Sequence, residues 1–156
     1  MQREITLHIN GQDYATTVHS HHTLLQVVRD QFHLYGARAG CGVGMCGACT
    51  VLLDGRPVSA CLFLAVMAEG KKITTIEGLS RAEQLHPVQQ AYLDQAAFQC
   101  AYCTPGFILT TVALLAEQPN PDDDTIRDYL AGNLCRCGSY FNILEAVRQC
   151  RQSGSS

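Results

Sequence analysis

Nine cysteines in a chain of 156 residues constrain the fold more than any other feature. Eight of them fall into two sets: Cys41, Cys46, Cys49 and Cys61, then Cys100, Cys103, Cys135 and Cys137. Cys150 stands apart. The opening Met1-Gln2-Arg3-Glu4-Ile5 has no basic stretch leading into an apolar core and no twin-arginine pair. No apolar run approaches the ~20 residues of a membrane span. The expected compartment is therefore the reducing cytoplasm, although a chain without a signal can also be exported bound to a partner that has one. Under reducing conditions clustered thiols bind metal more often than they pair.

The first set is spaced Cys41-x4-Cys46-x2-Cys49, with Cys61 beyond a further turn. This is the plant-type spacing for a [2Fe–2S] cluster. Three thiolates must converge from one short loop, so the backbone has to curl around them. Gly40, Gly42, Gly44 and Gly47 allow that curl and let N–H groups approach sulfur. A structural zinc site uses two short Cys pairs, which fits three cysteines in one loop poorly.

The second set is Cys100-x2-Cys103 followed by Cys135-x-Cys137. Each pair precedes an expected helix, where unpaired N–H groups and the helix dipole favour anionic thiolates. Spacing alone leaves zinc and an iron–sulfur cluster both open for this set.

Hydrophobic periodicity divides the chain near residues 78–84. Ile5, Leu7 and Ile9 alternate with polar residues, as in a half-buried strand, and Asn10-Gly11 marks a hairpin turn to a strand near 13–19. Thr23 caps an expected helix over 23–32. Strands follow at Thr50–Leu53, Arg56–Ala60 and Lys72–Glu77, the first two joined by Asp54-Gly55. This portion, residues 1–79, reads as a small mixed sheet with one helix. Residues 80–156 read as helical: Pro87 to Ala96, Thr104 to Glu117, a helix starting at the acidic run Asp122–Asp124, and one over 140–150. Four helices suggest a compact bundle, and the fold class is α+β. A Ser/Gly-rich tail occupies 153–156.

Three runs resemble one family, in order and over about residues 3–150. Gly40-Cys41-Gly42-Val43-Gly44-Met45-Cys46-Gly47-Ala48-Cys49-Thr50-Val51 resembles the ferredoxin-like domain of the xanthine oxidase, or molybdenum hydroxylase, family. Phe98-Gln99-Cys100-Ala101-Tyr102-Cys103-Thr104-Pro105-Gly106 and Gly132-Asn133-Leu134-Cys135-Arg136-Cys137-Gly138 resemble its second cluster domain. The resemblance implies an N-terminal β-grasp domain and a four-helix-bundle domain, each with one [2Fe–2S] cluster. It implies an electron-transfer subunit that receives electrons from a molybdenum–pterin cofactor on a large partner subunit. They would enter at the cluster of Cys100, Cys103, Cys135 and Cys137. They would leave from that of Cys41, Cys46, Cys49 and Cys61, to a flavin (FAD) subunit or a cytochrome. Gln99 and Cys137 match the positions that approach the pterin, and an amide suits a heterocycle edge. The substrate of the complex would be an aldehyde, an N-heterocycle or a purine. Two positions depart from the usual pattern: Ala101 stands where the family has Gly, and Gly138-Ser139-Tyr140 where many members have Thr-Gly-Tyr.

Two rival readings are a free-standing two-cluster carrier and a cluster-bearing redox sensor. A simple carrier needs neither a pterin contact nor two clusters. A DNA-binding sensor would need a clustered basic surface, which a net charge of −3 without a dense Lys/Arg run does not supply. No triad or carboxylate pair makes the chain catalytic alone. His19, His21 and His22 read as a solvated turn, Asp122–Asp124 as a helix start and Cys150 as a partly buried helix residue; Arg136, between Cys135 and Cys137, reads equally as a charge that raises a cluster's potential and as a solvated surface residue.

Overall fold

The computed structural model describes residues 1–153; of the Ser/Gly-rich tail, all but Ser153 lies outside the described residues. Strands β1 (Gln2–Ile9) and β2 (Gln12–His19) form the expected antiparallel hairpin. Asn10 and Gly11 turn it at φ values of 52° and 83°, the left-handed pair that matches strand twist. Ile5, Leu7 and Ile9 are buried on one face.

Helix α1 (Leu24–Asp30) starts with a reciprocal cap: Thr23 accepts the Gln26 N–H, and the Gln26 side chain accepts the Thr23 N–H. Its Leu24, Leu25, Val27 and Val28 join the sheet's core. Strands β3 (Thr50–Leu53) and β4 (Arg56–Ser59) form a second hairpin. Strand β5 (Lys72–Thr74) inserts between β1 and β3, parallel to the former and antiparallel to the latter, giving the order β2-β1-β5-β3-β4. The sequence carried this strand on to Glu77. It stops at Thr74 because Ile76–Gly78 coils into a 3-10 turn that packs Ile76 on the helical core.

Helices α2 (Pro87–Asp94), α3 (Thr104–Glu117), α4 (Asp123–Leu130) and α5 (Tyr140–Ser153) complete an α+β chain with a mixed sheet and five helices. Pro87 opens α2 in the first turn, where its missing N–H costs nothing. Asp122 caps α4 by accepting the Thr125 N–H, and Asp123 pairs with Arg148 of α5. Helix α3 is apolar nearly all round, which marks a helix enclosed on several sides. Its Leu109 and Ala113 pack on Leu52 of β3, while Phe107, Ile108 and Leu114 face the helical core. This central helix fixes the sheet against the helices and carries Cys103 at its start. Among the described residues no helix is long and apolar enough to cross a membrane.

Candidate metal centres

The loop between α1 and β3 holds three cysteines of the first set. Gly42, Gly44 and Gly47 adopt φ values of 69°, 75° and 70°, conformations that side chains resist. The coil points backbone donors inward. Cys41 Sγ accepts N–H groups from Val43, Cys46 and Met45 at 3.4, 3.4 and 3.3 Å. These donors bring the Cys41 thiol down to about 6, so it favours the thiolate. The Cys46 side chain also bonds to Cys41. Cys49 meets Cys61, which arrives after β4, and burial pushes the Cys49 thiol up to about 11. The first set is thus two thiol pairs, Cys41 with Cys46 and Cys49 with Cys61, and Cys46 lies near enough to repel charge on Cys49.

The second set repeats the arrangement. Cys100 meets Cys137, and the Tyr102 N–H followed by the Cys137 thiol holds Cys100 below the ordinary thiol value. Cys103 meets Cys135, and burial pushes Cys103 up to about 12. That burial outweighs the helix start at which Cys103 sits. Burial also works against charge on Cys135. The Ser139 N–H, 3.4 Å from its sulfur, helps bring it below the ordinary value. Each set therefore runs from an exposed thiolate-prone cysteine, Cys41 or Cys100, to a buried one, Cys49 or Cys135.

These surroundings fit a centre of two irons. Four thiols in two pairs would supply two donors to each of two irons, and a bound metal would deprotonate even the buried thiols. Thr104 Oγ1, beside Cys103, is buried and meets no partner among the described residues, so a hydroxyl donor stands ready for a sulfur acceptor. Among the described residues no three His, Cys, Asp or Glu side chains form a site for a single metal ion.

Gln99 lies exposed beside the second set, and its Nε2 donates to the Cys137 carbonyl at 3.3 Å. The two residues singled out for a heterocycle contact are thus brought together at the surface. Tyr140, at the start of α5, is half-exposed and accepts the Cys135 N–H at 2.8 Å through its hydroxyl. The remaining features agree with their plain readings. His19, His21 and His22 stack at a turn with ring centroids 5.0–5.4 Å apart. Cys150 is half-buried against the helical core, and Arg136 is exposed.

The sequence did not disclose the seam between the two sets. The Leu134 N–H donates to the Cys46 carbonyl at 2.9 Å, and the Tyr102 hydroxyl donates to the Ala39 carbonyl at 2.7 Å. The Arg38 guanidinium lies 5.3 Å from the Tyr102 ring centroid. Asn133, Thr110, Gly47 and Gly106 fill the space between. A glycine next to Cys46 and an asparagine two residues before Cys135 are the only signals of it that the sequence carries.

Two family models match: a 2Fe-2S iron-sulfur cluster binding domain over residues 7–75 and a [2Fe-2S] binding domain over residues 75–148. They define the class as a protein of two [2Fe–2S]-binding domains in tandem. The aldehyde oxidoreductase iron-sulfur-binding subunit PaoA of Escherichia coli (strain K12) is 45% identical over 158 residues, covering 92% of this chain and 69% of that protein. The nicotinate dehydrogenase small FeS subunit of Eubacterium barkeri is 42% identical over 144 residues, covering 92% of each. Among solved structures, quinoline 2-oxidoreductase from Pseudomonas putida 86 superposes with a TM-score of 0.93 at 39% identity, covering 97% of this chain and 95% of that one. The chain belongs to the small iron–sulfur subunits of the xanthine oxidase, or molybdenum hydroxylase, family. It is accordingly an electron-transfer subunit of an oxidoreductase rather than a free-standing carrier.

Proposed function

We propose that this chain passes electrons from a molybdenum–pterin centre on a large partner subunit, through two [2Fe–2S] sites, to a flavin subunit or a cytochrome. Cys100, Cys137, Cys103 and Cys135 hold the entry site, and Cys41, Cys46, Cys49 and Cys61 the exit site. The thiol pairs divide the ligands two to each iron. A [2Fe–2S] cluster takes up and releases one electron at a time, so a two-electron oxidation on the partner crosses this chain as two successive single-electron transfers. Residues 1–79 form a β-grasp unit around the exit site, and the second domain, 80–156, forms over its described residues a four-helix bundle around the entry site. The buried cluster of the sheet runs to Ile73, and the helical one, whose buried residues begin at Val88, already takes in Ile76 and Leu79, so the division falls in the stretch between.

The observation that carries this reading is the direct link between the two sets, the Leu134 N–H donating to the Cys46 carbonyl. One residue beyond each end of that bond, or at it, lies a ligand thiol. Gln99 and Cys137 meet at an exposed edge of the entry set, where an amide offers a pterin both donors and an acceptor. Exposed Val43, Met45 and Leu62 surround the exit set and suit an apolar contact with the acceptor. The relatives named above act on an aldehyde, nicotinate and quinoline by their names, and an aldehyde, an N-heterocycle or a purine is the proposed substrate class here.

Isolation of the chain from its native source tests this. Molybdenum and a larger subunit should accompany it, and Gln99→Ala should weaken pterin retention or slow electron entry. A chain that purifies alone with full iron and no molybdenum would contradict the proposal. Unchanged cofactor content and electron entry in Gln99→Ala would remove that residue's role.

A further inference from the structure

Asn133 precedes Cys135 by two residues and is 4% exposed. Its side-chain amide is engaged on both sides of the seam. Nδ2 donates to the Gly47 carbonyl at 3.1 Å and stands 3.5 Å from Thr50 Oγ1, while Oδ1 lies 2.9 Å from Thr110 Oγ1, whose one proton it shares with the Gly106 carbonyl, also at 2.9 Å. A carbonyl only accepts, so Gly47 fixes which way round the amide sits. The space is full: a Cβ on Gly47 would stand 2.4 Å from Asn133 Nδ2, and one on Gly106 would stand 2.2 Å from the Gly47 carbonyl oxygen.

This amide ties the residue after Cys46 to the residue before Leu134. Immediately beside it the Leu134 N–H meets the Cys46 carbonyl at 2.9 Å. The route from Cys46 Sγ runs through the Cys46 carbonyl, across that hydrogen bond and along one peptide to Cys135 Sγ. All its other links are covalent. Electronic coupling decays more steeply across space than along bonds, so the length of the one hydrogen bond governs the route.

We propose that Asn133 is a positioning residue for electron transfer between the two thiol sets, acting by holding the Cys46–Leu134 hydrogen bond closed. This rests on the reading of both sets as [2Fe–2S] sites. The transfer moves one electron from a reduced site to an oxidised one, with no bond broken and no proton moved. Aspartate in place of Asn133 keeps the shape but sets an oxygen against the Gly47 carbonyl. Valine in place of Thr110 removes the donor to Oδ1 and keeps its shape, whereas serine keeps the hydroxyl.

The test uses the full chain with both sites loaded. Iron and labile sulfide are counted, the spin–spin splitting of the reduced protein is read by EPR, and internal electron equilibration is timed after pulse reduction. Asn133→Ala and Asn133→Asp should keep full iron and both EPR signals, with weaker splitting. Equilibration should slow on the order of 10-fold or more, since about 1 Å of misplacement can cost a positioned reaction roughly 100-fold. Thr110→Val should move the same way to a lesser degree, and Thr110→Ser should match the wild type. If Asn133→Ala does not fold, Thr110→Val carries the test on the same readouts. Full iron with unchanged splitting and equilibration would overturn the proposal. So would iron loss in Asn133→Ala with Thr110→Val unchanged, because Asn133 would then build a site rather than space two. A wild-type chain with iron for one site only would instead overturn the underlying reading, before any variant is compared.

Discussion

At the scale of single residues, the chemistry lies in how each thiol is surrounded. Backbone donors converge on Cys41, while burial raises Cys49 and Cys103. The same loops hold strain. Ala101 lies between Cys100 and Cys103 at φ +60°, in the left-handed region, where the family pattern has glycine. A Cβ in that conformation costs roughly 1–2 kcal/mol. Glycine returns roughly 0.5–1 kcal/mol of that as added chain entropy, so Ala101→Gly should stabilise the loaded chain by up to about 1 kcal/mol and raise Tm by up to roughly 2–4 °C for a chain of this size. Thermal unfolding checks it, and an unchanged or lower Tm would mean that the loop carries no such strain. The grouping of the cysteines into two sets was legible in sequence, because loop spacing and glycine content are local. The state of each thiol was not, because burial of Cys103 depends on what α3 packs against.

At the scale of elements, caps and turns account for most boundaries. Thr23, Pro87, Asn10-Gly11 and Asp54-Gly55 lie where the sequence placed them, since each acts within a few residues of itself. Strand β5 was harder, because Ile76 leaves the sheet to reach the helical core. Asp122 shows the capping chemistry directly: the Thr125 N–H holds its carboxyl below the usual range. A carboxylate with a lowered native pKa stabilises above its unfolded value and loses that contribution as pH falls through the native one. The wild type should thus be more stable than Asp122→Ala at neutral pH. The gap should close as pH drops below about 3.9, the unfolded aspartate value. Paired melts across that range measure it, and a pH-independent gap would assign the loss to packing instead.

At the scale of the whole molecule, two cores are joined through α3 and one close seam. Sequence patterning separated sheet from helices but could not show how they meet, since Asn133 and Gly47 are 86 positions apart. Gly106 is the tightest point of that contact, and a methyl there would stand 2.2 Å from the Gly47 carbonyl oxygen. Gly106→Ala should cost about 1–3 kcal/mol, as overpacking does. It should also broaden denaturant unfolding as the two cores uncouple, and a sharp transition at the wild-type midpoint would contradict this.

The central claim is that both thiol sets hold two-iron centres. Low-temperature EPR of the dithionite-reduced chain, with iron and acid-labile sulfide counted on the same sample, tests it most directly. Two distinct S = 1/2 signals with about four irons and four sulfides per chain are the predicted result. One signal with half that iron, and zinc at the second set, would contradict it.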